Sequence, residues 1–346
     1  MPELRDRTTL RLGGPARHWV TATTDAELVE AVRTADETGE PVLVLGGGSN
    51  LVVADEGFDG TVVEVATAGV EADRDDPDDL ACLGAVTVTV AAGEGWDGFV
   101  ARAVGSGWVG VESLSGIPGS VGATPIQNVG AYGQEVAQSI ASVRTWDRAD
   151  RTQRTFAAAD CGFGYRTSRF KEEPGRHVVL GVTFLLKQGT LGAPVAYAEL
   201  ARTLGVEQGE RAPLADVRDA VLGLRAGKGM VLDAEDHDTW SAGSFFTNPF
   251  VDRSRVPEGA PAWEQPDGRV KTSAAWLIEH AGFGKGYGLD RGAPASLSTK
   301  HTLALTNRGR ATTADLIGLA REIRAGVESA YGIRLVNEPV LVGCRL

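Results

Sequence analysis

Cysteine is scarce in this chain: Cys82, Cys161 and Cys344 are the three present, far apart and with no C-x-x-C pair among them. That excludes a disulfide framework or a zinc knuckle, and it points to small buried hydrophobes in a reducing compartment rather than nucleophiles. Long apolar runs are missing too, since none approaches the ~20 residues that cross a bilayer. The opening residues, MPELRDRTTLRL, are charged and lack the apolar core of a secretory signal. Basic charge is in deficit, with 34 Lys and Arg against 46 Asp and Glu for a net of −12. This argues against nucleic acid or an anionic membrane surface as the main partner, because both reward basic patches. The reading is of a cytoplasmic protein without a metal centre. At 346 residues, 42% hydrophobic and 23% charged, the chain has room for two or three globular domains.

What the chain does have is glycine in informative places. Ser115 to Glu135, SGIPGSVGATPIQNVGAYGQE, is almost uncharged and is neither a helix nor an ordinary solvated loop. Gly116, Gly119 and Gly122 permit positive φ and close backbone approach, and Pro118 stiffens the bend. Bare N–H groups arranged in this way suit a pyrophosphate; the alternative is a tight architectural turn. A second cluster, Gly46-Gly47-Gly48-Ser49-Asn50, follows a buried strand Pro41–Leu45. Its spacing is not G-x-G-x-x-G, and Leu51–Ala54 reads as extended rather than as a helix start, so a Rossmann site is disfavoured. A strand–loop–strand phosphate clamp fits better.

Elsewhere the periodicities alternate between helix and strand. Thr24 to Glu27 has capping-box spacing ahead of a helix facing inward through Leu28, Ala31, Val32 and Ala35, closed by Gly39 and Pro41. Thr61–Val65, Val86–Ala91 and His177–Leu186 read as strands, and Trp96, Phe99, Val100 and Ala103 mark a short helix. Glu71 to Asp79, EADRDDPDD, is expected to be a solvated acidic loop. The texture changes around 187–196, after which helices are expected from Pro213, over Ser273–Ala281, and from Thr312 to near Gly332.

The motifs GGGSNLVV, GVESLSGIPGSVGATPIQNVGAYGQE, GYRTSRFK (164–171), SAGSFFTNP (241–249) and NEP (337–339) occur in one order from about Thr8 to the C-terminus. In this the chain resembles the UDP-N-acetylenolpyruvoylglucosamine reductase family. The resemblance implies an α+β fold: a two-part FAD-binding domain of the vanillyl-alcohol-oxidase/PCMH type (1–190), a connector (191–212) and an α+β substrate-binding domain (213–346). It implies FAD held by Gly46, Gly47, Gly48, Ser49, Asn50 and Leu51 and by Ser115, Gly116, Ile117, Pro118, Gly119, Gly122, Ala123 and Asn128. NADPH and UDP-N-acetylglucosamine enolpyruvate would be the partners, in bacterial cell-wall synthesis.

Three side chains are candidates for the chemistry. Ser244, in an apolar setting after Gly243, can bond to backbone, and no G-x-S-x-G elbow surrounds it; the resemblance implies that it serves as a general acid. Arg166 either pairs with an acid or holds a carboxylate with its fork. Glu338, before the apolar strand Val340–Val342, is either a salt-bridge partner or a tuned site carboxylate. The resemblance assigns all three to catalysis, and extends the substrate set to Tyr132, Tyr165, Tyr197 (a lid tyrosine in one subtype), Lys228, Asn248 and Lys285. His301 is read as structural. Two departures stand out: Thr8-Thr9 where many members have Asn-Thr, and a long connector, Gly229–Trp240, which affects the placement of Lys228. The competing readings are a flavin oxidase of alcohols or hydroxy acids, and a nucleotide-sugar-binding module without turnover. Oligomeric state is left open, a monomer included.

Overall fold

The computed structural model describes residues 2–73 and 84–346. Cys82 and residues 74–79 of the acidic run lie outside the described residues. The run's first residues, Glu71 to Asp73, are an exposed part of a strand (Val70–Asp73) rather than loop, because they pair with the strand Ala85–Ala91. The chain divides into two compact units. The first comprises Met1–Ala16, Gly48–Asp59 and Gly227–Leu346, and the second Arg17–Gly47 and Gly60–Ala226. Residues 213–226, expected at the head of the C-terminal domain, thus lie in the second unit.

In the second unit an antiparallel sheet runs in the order Thr152–Ala157, Ile140–Asp147, His177–Gln188, Ala85–Ala91, Val70–Asp73, with Trp108–Val109 also paired to His177–Gln188. Alternating valines of Ala85–Ala91 (Val86, Val88, Val90) are fully buried, as period-two patterning demands. They pack with the helix Trp96–Gly105, whose Trp96, Phe99, Val100 and Ala103 face inward; Phe99 stacks on Phe184 at 4.9 Å between ring centres. The helix Asp25–Thr38 begins at Thr24, whose hydroxyl accepts the Glu27 amide, and ends at Gly39. It covers the strands Val42–Leu45 and Phe58–Val65 through Leu28 and Val32. The helix Leu214–Gly227 buries Leu214, Val217 and Val221.

In the first unit the long helix Thr313–Tyr331 buries Leu316, Leu319, Ala320, Ile323 and Val327 against Phe245, Phe246, Leu277 and Ile278. Its N-terminus is closed by a reciprocal Thr312–Asp315 capping box, and its C-terminus by Gly332 in the left-handed region. The strand Leu51–Val53 pairs in parallel with Val340–Val342, so the start and the end of the chain share one unit. The closing strand is less buried than its sequence suggests: Val340 is 49% exposed.

Candidate active site

In the first unit, Phe246 forms a bridge with Asn337, and the Glu338 amide donates to the Phe245 carbonyl (2.8 Å). Glu338 is thereby fixed next to the segment Ser244–Phe246, across 94 residues of sequence. The Val340 amide donates to the Asn50 carbonyl (2.9 Å), which draws the end of the first glycine cluster into the same corner. Gly243 has φ +70°, and this left-handed step turns the chain so that Ser244 Oγ lies 3.4 Å from His301 Nε2. His301 is held in turn by its amide, which donates to Ser298 Oγ (3.2 Å). Sequence reading set His301 aside as structural. Nothing local to Ser298–Thr302 marks it, because its partner is 57 positions away.

The long connector supports this corner. Asp238 takes the Thr299 amide (2.9 Å), the Thr299 hydroxyl and Arg308 Nη1 (2.8 Å). Burial works to raise the Asp238 pKa, but these donors outweigh it and hold it below the usual carboxylate value. The neighbouring Asp236 pairs with Lys300 Nζ at 2.5 Å. Thr8 and Thr9, the departure from the Asn-Thr pattern, are buried; Thr9 Oγ1 donates to the Ser241 carbonyl (2.7 Å), and Thr8 Oγ1 to that of Leu12 (2.9 Å). Lys228 is half-buried and Lys285 exposed.

In the second unit the two glycine loops touch backbone to backbone. A Cβ on Gly47 would stand 2.6 Å from Gly119 Cα, closer than real side chains approach. The Ser115–Gly122 loop is zipped along the turn ahead of the helix Trp96–Gly105. Trp96 N–H donates to Gly119 O (3.0 Å), Val121 N–H to Glu94 O (2.8 Å) and Gly122 N–H to Ala92 O (2.8 Å). The expectation of a uniformly bare row of amides is therefore corrected: Ser115, Gly116, Val121, Gly122 and Ala123 spend theirs inside the protein. Ile117, Gly119 and Ser120 carry amides with no acceptor among the described residues. The segment is also not helix-free, since Val121–Ala123 and Thr124–Gln127 make short helical turns. Gly122 packs on Ala92, and Ser115 Oγ donates to the Glu112 carbonyl (2.6 Å).

Arg166 lies in this unit with φ +54°. Its Nη2 donates to the Gly130 carbonyl at 2.6 Å, its guanidinium stands 5.6 Å over the Tyr165 ring, and Lys171 Nζ donates to its carbonyl (2.9 Å). A non-glycine residue in that region is backbone strain of the kind that collects at functional sites. Asn128, buried, is fully engaged: Nδ2 donates to Glu135 and to the Gly164 carbonyl (2.9 Å each), and Oδ1 accepts from Ala137. Tyr132 meets Tyr197 edge-on at 5.6 Å, with Tyr197 46% exposed.

Glycine-rich loops in close backbone contact, with a short run of open amides, fit the diphosphate of a dinucleotide such as FAD. Family models agree with this. Residues 16–156 match the FAD binding domain, and residues 235–342 match the C-terminal domain of UDP-N-acetylenolpyruvoylglucosamine reductase. A protein of that name from Cutibacterium acnes is 63% identical over 339 residues, covering 98% of this chain and 89% of its own length. The chain belongs to the UDP-N-acetylenolpyruvoylglucosamine reductase family. A second member, from Streptomyces coelicolor, is 58% identical over 98% of this chain and 88% of its own. The crystal structure of the Thermus caldophilus reductase of this family superposes with a TM-score of 0.65 at 26% identity, covering 99% of this chain and 97% of that one. The α+β architecture with an FAD-binding part and a reductase C-terminal part is thus the family's own. Among the described residues no cluster of His, Cys, Asp and Glu could hold a metal, and no helix is long and apolar enough to cross a membrane.

Proposed function

We propose that the chain is a flavoenzyme that reduces UDP-N-acetylglucosamine enolpyruvate to UDP-N-acetylmuramate in peptidoglycan precursor synthesis. The observation that carries this reading is the 63% identity to a reductase of that name over 98% of the chain. The residues that would hold FAD are those of the touching loops, Gly46, Gly47 and Ile117 to Ser120, with Gly48 to Leu51. FAD held there and reduced by NADPH would supply the hydride needed at the terminal carbon of the enolpyruvyl group.

The chain's own residues manage the charge and the proton. Arg166 holds the substrate carboxylate with its planar fork, and Glu338 stabilises the negative charge that builds beside it. Ser244 delivers its proton to the carbon next to the carboxylate. A serine hydroxyl is a weak acid, so it needs tight positioning and resupply. His301 Nε2, at 3.4 Å, is placed to return that proton. Tyr132, Tyr165, Tyr197, Lys228, Asn248 and Lys285 complete the substrate contacts. The FAD-holding part is assigned to 1–190, the connector to 191–212 and the substrate part to 213–346. The reaction is assigned to the cytoplasm.

Anaerobic stopped-flow spectroscopy separates the two halves of the reaction. NADPH is expected to bleach the yellow protein, and UDP-N-acetylglucosamine enolpyruvate to restore its colour. Ser244→Ala is expected to keep the first half and to slow the second by about 10²–10⁴-fold, the range for a lost general acid. A protein that cannot be loaded with FAD would end the reading; unchanged reoxidation in the variant would remove Ser244 from it.

A further inference from the structure

The Ser115–Gly122 loop has a charged support that lies outside every motif that carries the family resemblance. Asp97, at the second position of the helix Trp96–Gly105, accepts the Gly116 amide at 2.6 Å through Oδ1. The same carboxylate receives the Arg218 fork, Nη1 to Oδ1 at 2.7 Å and Nη2 to Oδ2 at 2.9 Å. Arg218 projects from the helix Leu214–Gly227, and Arg225, two turns on, is buried and adds its positive charge to the field at Asp97. Gly116 has φ +70°, the left-handed step that starts the loop toward Ile117 and Gly119.

We propose that Asp97, clamped by Arg218, is a positioning residue that fixes Gly116 and so aims the Ile117–Ser120 amides at the diphosphate of FAD. This rests on the FAD reading above. The Trp96–Gly119 and Val121–Glu94 bonds hold the far side of the loop, whereas Asp97 holds its entry. With Asp97 removed, the Gly116 amide loses its acceptor and the left-handed step at Gly116 its anchor, while Ser115 stays bonded to the Glu112 carbonyl and the far side of the loop stays zipped. Open amides that no longer converge lose much of their value to an anion, because an anion site depends on donors fixed in advance. The Arg218 hydrogen bonds, with the Gly116 amide, depress the Asp97 pKa despite its partial burial, so the carboxylate stays charged across the neutral range.

The test is flavin release from the full-length holoenzyme on dilution, followed by the rise in flavin fluorescence, beside the thermal midpoint of each variant. Asp97→Ala is expected to speed release at least tenfold. The double variant Asp97→Arg with Arg218→Asp restores an ion pair between the helices but offers Gly116 no acceptor. It should recover the midpoint and still release flavin fast. Release at the wild-type rate from Asp97→Ala, or full recovery of retention in the double variant, would overturn the proposal, the latter by assigning the effect to helix packing alone. If Asp97→Ala fails to fold, Asp97→Leu, of similar volume and with no acceptor, decides: faster release at an unchanged midpoint supports the role, and wild-type release overturns it. A wild-type chain that takes up no FAD overturns both this inference and the reading beneath it.

Discussion

The family resemblance makes Asn248 a substrate contact; beside Pro249 it is equally suited to fix a turn. The structure spends its Oδ1 on the Ala274 amide at 2.9 Å, the first amide of the helix Ala274–His280. That helix buries Ala274, Leu277 and Ile278 in the core that also contains Phe245, the neighbour of Ser244. A helix-start amide left without a partner costs about 1 kcal/mol, so Asn248→Ala should lower the unfolding free energy by that amount, and the urea midpoint with it. Urea titration beside steady-state kinetics separates the roles. A tenfold rise in the substrate KM at an unchanged midpoint would mark Asn248 as a substrate contact instead. Ser244 and Arg166 differ from Asn248 at this scale: one is delivered by a left-handed glycine before it, the other adopts that conformation itself. Both departures from easy backbone geometry occur where the family resemblance places chemistry.

At the scale of elements, the meeting of the two glycine loops is a backbone contact with no space for a methyl group. Gly47→Ala would drive a Cβ into Gly119, and the loops would separate. Overpacking of this kind costs about 1–3 kcal/mol, which would weaken FAD retention by roughly 5- to 150-fold. Fluorescence titration with FAD would register the loss, and wild-type affinity would show that the contact plays no part in seating the cofactor. The helices were legible because their signals are local: Thr24, Thr312 and Ser273 as caps, Gly39 and Gly332 as stops, and apolar residues at helical spacing. The glycine loops were legible as loops, but not in their bonding. Which amides stay open depends on Ala92, Glu94 and Asp97, acceptors roughly twenty or more positions upstream. His301 reads as structural for the same reason, its partner Ser244 being 57 positions away. The pairing of Leu51–Val53 with Val340–Val342 likewise has no counterpart in local periodicity.

On the scale of the whole molecule, acid is the condition that should unfold this chain first. Asp147 closes the strand Ile140–Asp147 with its side chain fully buried. Arg176 bonds to it, at 2.9 Å to Oδ2, and it takes the amides of Ala149 and Asp150; together these lower its pKa to about 2. The adjacent His177, packed edge-on against Phe156 and Phe170, is held below its usual value of 6.5, chiefly by burial. Both pKa values are depressed on folding, so both groups bind protons more readily in the unfolded chain. Their contribution is complete above the unfolded pKa and disappears as pH falls through the folded one. Stability should therefore decline first below about pH 6.5, as the unfolded state takes up a proton at His177. It should fall again between about pH 4 and 2, where Asp147 accounts for about 2 kcal/mol. Urea midpoints measured from pH 8 to 2.5 would trace both steps. His177→Phe, which keeps the aromatic packing, should flatten the upper step and leave the lower one. Asp147→Asn should cost stability at pH 7 and converge on the wild type near pH 2, and parallel curves for that variant and the wild type over the lower range would show that Asp147 is not the group that titrates.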